Sequence, residues 1–115
     1  MARWEYRVKV ESVDPGRLAD QNIVVARGGS VSVEFDSIAG LFTVEEGENL
    51  SIVVSSEKPA DLDEYDFCGH GYLVTPESDS TILSLWGIIF KFKPPIGLAL
   101  NTKYYLCMKR EGKAG

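Results

Sequence analysis

One histidine, His70, and two cysteines, Cys68 and Cys107, are all the imidazole and thiol that this 115-residue sequence offers for acid–base catalysis, thiol chemistry and soft-metal binding. A Ser-His-Asp or Cys-His site would have to be built on His70, and no G-x-S-x-G turn accompanies it. Structural zinc sites draw their ligands from two close pairs such as C-x2-C, whereas Cys68, His70 and Cys107 lack both that pairing and a fourth ligand. The phosphate-cradling G-x-x-x-x-G-K-[ST] loop, the G-x-G-x-x-G fingerprint and the D-x-D-x-D-G calcium loop are missing too. No apolar run approaches the ~20 residues of a membrane span. The opening MARWEYRVKV alternates charge with bulk, unlike the apolar run of a signal peptide. These absences lead to the expectation of a cytoplasmic chain with no catalytic site, no small-molecule substrate and no membrane segment. In that compartment the two cysteines are expected to be reduced and buried, a disulfide being expected only in a hyperthermophile's protein.

What the sequence does contain is segregated charge. The net charge is −5, but residues 1–10 carry +2, residues 91–115 carry +5, and residues 11–90 carry −12. If the first and last strands lie close together, Arg3, Arg7, Lys9, Lys103, Lys109 and Arg110 form one basic face on an otherwise acidic molecule. The acids at Glu45, Glu46, Glu48, Asp61, Asp63 and Glu64 sit in turn-like stretches, where solvated carboxylates are the ordinary finding.

Hydrophobic period supplies the architecture. Trp4, Tyr6, Val8 and Val10 alternate with Arg3, Glu5, Arg7 and Lys9, the mark of a strand with one wet face. Residues 23–26 and 31–35 flank Gly28-Gly29 as a hairpin. Residues 41–44, 50–54 and 65–74 are further strand candidates, and DLDEYD has room for one helical turn. With two more runs after residue 80, the expectation is an all-β chain. It is a small antiparallel β-barrel of about eight strands, OB-fold-like, occupying residues 1–115 as a single domain.

The stretch TILSLWGIIFKFK stands out because it is apolar on both faces. Leu83 and Leu85 precede Gly87 at odd positions, and Ile88, Phe90 and Phe92 follow it at even ones. A phase switch at a strand glycine reads as a bulge or barrel corner within one strand across residues 82–92. Trp86 and Ile89 then face outward, and with Gly87 and Lys91 they make a candidate docking patch. The competing reading covers that face with the domain's own loops. The aromatics Trp4, Tyr6, Phe67, Tyr72, Trp86, Phe90, Tyr104 and Tyr105 could include a base-stacking platform, although most sit in core-facing alternations.

Taken together, Leu50-Ser51-Ile52-Val53-Val54-Ser55, Tyr65-x-x-x-Gly69-x-x-Tyr72, Leu85-Trp86-Gly87-Ile88-Ile89-Phe90-Lys91-Phe92 and Tyr104-Tyr105-Leu106-Cys107-Met108-Lys109-Arg110 give the sequence a familiar outline. It resembles the family of small RNA polymerase subunits that comprises the eighth shared eukaryotic subunit and the RpoG subunit of some archaea. The likeness covers roughly residues 50–110 well and the N-terminal half by strand count, and the chain's length suggests the archaeal type. Cys68, His70 and Cys107 fall outside the family pattern, which weakens the zinc reading further. The resemblance implies an OB-related barrel that docks on the largest subunit of RNA polymerase with no chemistry and no cofactor of its own, and the basic side could then lie along nucleic acid or an acidic partner surface inside the complex. The alternative is a free-standing single-stranded nucleic-acid binder.

Overall fold

The computed structural model describes residues 3–16, 20–38, 42–74, 79–99 and 101–113. Its strands are β1 (Arg3–Pro15), β2 (Gln21–Gly28), β3 (Val31–Ile38), β4 (Glu48–Ser55), β5 (Phe67–Leu73), β6 (Thr81–Leu85), β7 (Ile88–Lys93) and β8 (Lys103–Lys113). Each pairs antiparallel with two neighbours, and the ring closes in the order β1-β2-β3-β7-β6-β5-β8-β4. The expected all-β antiparallel barrel is therefore what the chain forms. The only helical piece among the described residues is the 3-10 turn Leu62–Glu64, inside the DLDEYD stretch.

β1 serves two neighbours because it bends. Its residues from Arg3 to Lys9 pair with β4, and from Lys9 onward it pairs with β2. The register shifts between Val10 and Ser12, leaving Glu11 as the extra residue of a bulge. Val8 and Val10 point inward before it and Val13 packs against the core after it, which is the change of face that one added residue imposes.

Inward residues meet across the barrel as register dictates. Phe35 lies opposite Phe90, and their rings stack at 5.2 Å with an 18° tilt. Leu83 faces Phe90 on the other side. Full burial of each such side chain is worth about 1.5–3 kcal/mol. β5 crosses this core tightly: Gly69 and Gly71 turn inward, and a Cβ on Gly71 would stand 1.8 Å from the Ser84 carbonyl oxygen.

Three expectations are corrected. Residues 82–92 are not one bent strand but the β6–β7 hairpin, with Leu85 opposite Ile88 and only Trp86 and Gly87 between them. Both turn residues have positive φ, 54° and 90°, the mark of a type I′ turn, whose twist suits a two-residue hairpin. Residues 42–44 are not a strand, although Phe42 and Val44 are buried, and Leu41 lies outside the described residues. Cys68 and Cys107 are not reduced. They face each other in the β5–β8 register and form a disulfide, with Cα atoms 4.1 Å apart.

Candidate functional site

The site is the outer face of β5 through β8. Because side chains alternate, the inward set Leu73, Leu83 and Phe90 leaves the row Tyr72, Ser84 and Ile89 pointing outward. The Val74 amide donates to the Ile82 carbonyl at 2.8 Å, which adds Val74 and Ile82 to the same face. Among the described residues the large hydrophobics left exposed are Tyr72, Val74 and Trp86, and all three lie here. Trp86 is 76% exposed. Ile89 and Lys91 are half-buried beside it, and Gly87 is exposed at the hairpin tip. The four residues of the candidate patch thus come from one hairpin, with Ile89 held further in by its amide, which donates to an Asp36 carboxylate oxygen at 3.4 Å.

Trp86 does not hang free. His70 lies edge-on to it at 4.7 Å, and Tyr105 lies 5.7 Å beyond His70. Lys103 caps Tyr105, its ammonium 5.3 Å from the ring centre. Sequence reasoning singled out none of His70, Tyr105 and Tyr72 as members of this patch. His70 opposite Tyr105 and Tyr72 opposite Lys103 follow only once the β5–β8 register is known. A groove of about 260 Å³ runs between Trp86 and the segment after β4, lined by Lys58, Leu62, Cys68, Gly69, His70 and Tyr105 as well. Pro59 of that segment is buried, as are Val53 and Cys107, which face each other in the β4–β8 register outside the core cluster. The domain's own loop thus stands, through Lys58 and Leu62, beside the outer wall at Cys68, His70 and Tyr105 of β5 and β8.

The six basic residues fall in separate places. Arg7 and Lys109 flank Ser51 in one row across β1, β4 and β8, and Lys9 lies beside Asn49 in the next. These three have no ion pair among the described residues. Arg3 pairs with Glu5 at 3.2 Å, and that hydrogen bond is the first cause raising the guanidinium above its ordinary pKa. Arg110 sits at a barrel end, 4.9 Å over the Phe42 ring and bonded to the Thr43 carbonyl, where it holds residues 42–44 in place. Lys103 belongs to the Trp86 face. First and last strands are therefore near neighbours, separated by β4, and of the six cations Arg7, Lys9 and Lys109 stand together across these strands. For metals, the disulfide occupies both thiols, and no group of three His, Cys, Asp or Glu side chains is placed to hold an ion among the described residues.

Among known proteins, the family of the RpoG subunit of DNA-directed RNA polymerase matches residues 3–111. The chain is 32% identical to the DNA-directed RNA polymerase subunit Rpo8 of Sulfolobus acidocaldarius, over 90% of this chain and 94% of the relative. It is 28% identical to the subunit of the same name in Saccharolobus solfataricus, over 89% of each.

Proposed function

We propose that this chain, which belongs to the RpoG family of DNA-directed RNA polymerase subunits, docks on the largest catalytic subunit through the outer face of β5, β6 and β7. It is an accessory subunit without a catalytic site, and nucleotidyl transfer belongs to the assembly. Its place of work is then the cytoplasm, wherever transcription proceeds. The observation that carries the docking reading is Trp86, 76% exposed and continuous with exposed Tyr72 and Val74. An aromatic of this size is where interfaces concentrate their energy, and ~800 Å² per partner is the usual contact area.

The test is Trp86→Ala in the native complex. Expected is a folded subunit with an unchanged far-UV spectrum that binds the polymerase at least ~30-fold more weakly, a loss of about 2 kcal/mol. Co-purification at the wild-type ratio would remove the patch from consideration.

The row of Arg7, Lys109 and Lys9 favours a second reading, contact with nucleic acid. Oligonucleotide binding by the isolated chain that weakens steeply with salt supports it. No binding at low salt ends it.

A further inference from the structure

Trp86 carries a conformational cost. Its φ of 54° lies in the left-handed region that Asn and Gly occupy readily and a bulky side chain does not. A hairpin selected for stability alone would place Asn before Gly87. Instead the strained position holds a tryptophan that contributes little burial, since 76% of it remains in water. Backbone strain kept at an exposed aromatic points to a use outside the fold.

The groove beside Trp86 indicates that use. At about 260 Å³ it holds the volume of one large side chain, a water claiming ~30 Å³. The aromatic edges of His70 and Tyr105 and the disulfide make its inner surface apolar. Its far wall is different. Lys58 and Leu62 line both the groove and an adjoining hollow that includes Asp63. Exposed Glu57, Asp61, Asp63 and Glu64 surround them, with no ion pair among the described residues. Lys58 is the one cation in that run. A phosphodiester strand entering here would meet more carboxylates than ammonium groups. A polypeptide segment with lysine or arginine around an apolar side chain would meet complementary charge.

We infer that the groove between Trp86 and Leu62 receives one large apolar side chain from a lysine- or arginine-bearing segment of the partner polypeptide, whose cations meet Asp61, Asp63 and Glu64. This rests on the docking reading and specifies the chemistry of what docks. Trp86 forms the outer jaw of the groove, and the I′ turn fixes it before the partner arrives, so little ordering is left to binding.

Two variants test it in polymerase reassembled from its subunits, with thermal unfolding of each free variant alongside. Trp86→Asn should leave Tm at or above wild type and release the subunit. The triple variant Asp61→Asn, Asp63→Asn, Glu64→Gln should keep its Tm, bind roughly tenfold more weakly at ~0.1 M salt, and converge on wild type at ~0.5 M, where screening has removed the difference. Release by Trp86→Asn with an unchanged affinity and salt dependence in the triple variant overturns the basic-segment inference while docking stands. Wild-type assembly of Trp86→Asn overturns docking itself. A marked fall in Tm for Trp86→Asn assigns the tryptophan to folding and overturns its role as a strained anchor. Quenching of Trp86 fluorescence by oligothymidylate, stronger in the triple variant, hands the groove to nucleic acid and also overturns the inference.

Discussion

Gly71 decides whether β6 can cross β5. The Ser84 carbonyl oxygen occupies the space a Cβ would need, at 1.8 Å, and that oxygen belongs to backbone that cannot rotate aside. Gly71→Ala should therefore destabilise the chain by about 3 kcal/mol, measured by denaturant unfolding, despite being the smallest substitution available. At Gly87 the space is open but φ is 90°, so Gly87→Ala is opposed by torsion alone and should cost about 1–2 kcal/mol. Tyr6 offers a pH-dependent counterpart. Burial raises its phenol above the ordinary value of 10.0. Below pH 10 the group is neutral in folded and unfolded chains alike. Above it, the unfolded chain loses the proton first, so stability falls as pH rises through the folded value. Tyr6→Phe, tilted against Phe92 as the native ring is, should show a shallower decline in Tm as pH rises above about 10.

At the scale of elements, the cross-strand disulfide ties β5 to β8 across 39 residues of sequence. Closing a loop of that length is worth about 4 kcal/mol through the unfolded chain. The double variant Cys68→Ala, Cys107→Ala should unfold at correspondingly lower denaturant, and a reducing agent should shift wild type by a similar amount while leaving the variant unmoved. Most strands are legible in the sequence because alternation survives wherever one face is wet, as from Trp4 to Val10. The β6–β7 hairpin is not, because the run from Leu85 to Phe90 contains no polar punctuation. Its signal is nonetheless present in the change of phase at Trp86-Gly87, which a two-residue turn explains as well as a bulge does. The disulfide is hidden for a different reason. Nothing local to Cys68 or Cys107 reveals that they share a register, which only the completed β5–β8 ladder sets. The docking face is half legible: Trp86 announces itself, whereas His70 and Tyr105 become its neighbours only through that ladder.

On the scale of the whole molecule, the ring order matters more than any strand. β8 lies between β4 and β5, and it is the last of the eight to leave the ribosome. Until it emerges, the outer edges of β4 and β5 have no partner, and the seven earlier strands form an open sheet with unpaired amides on both sides. A nascent chain halted after β7 should therefore remain protease-sensitive and prone to aggregate. Release of the chain that includes β8 from the ribosome should produce protection in a single step. Synthesis and closure are thus coupled: the chain acquires its docking face, built on β5 and completed by Tyr105, only when the strand that shuts the barrel has been translated.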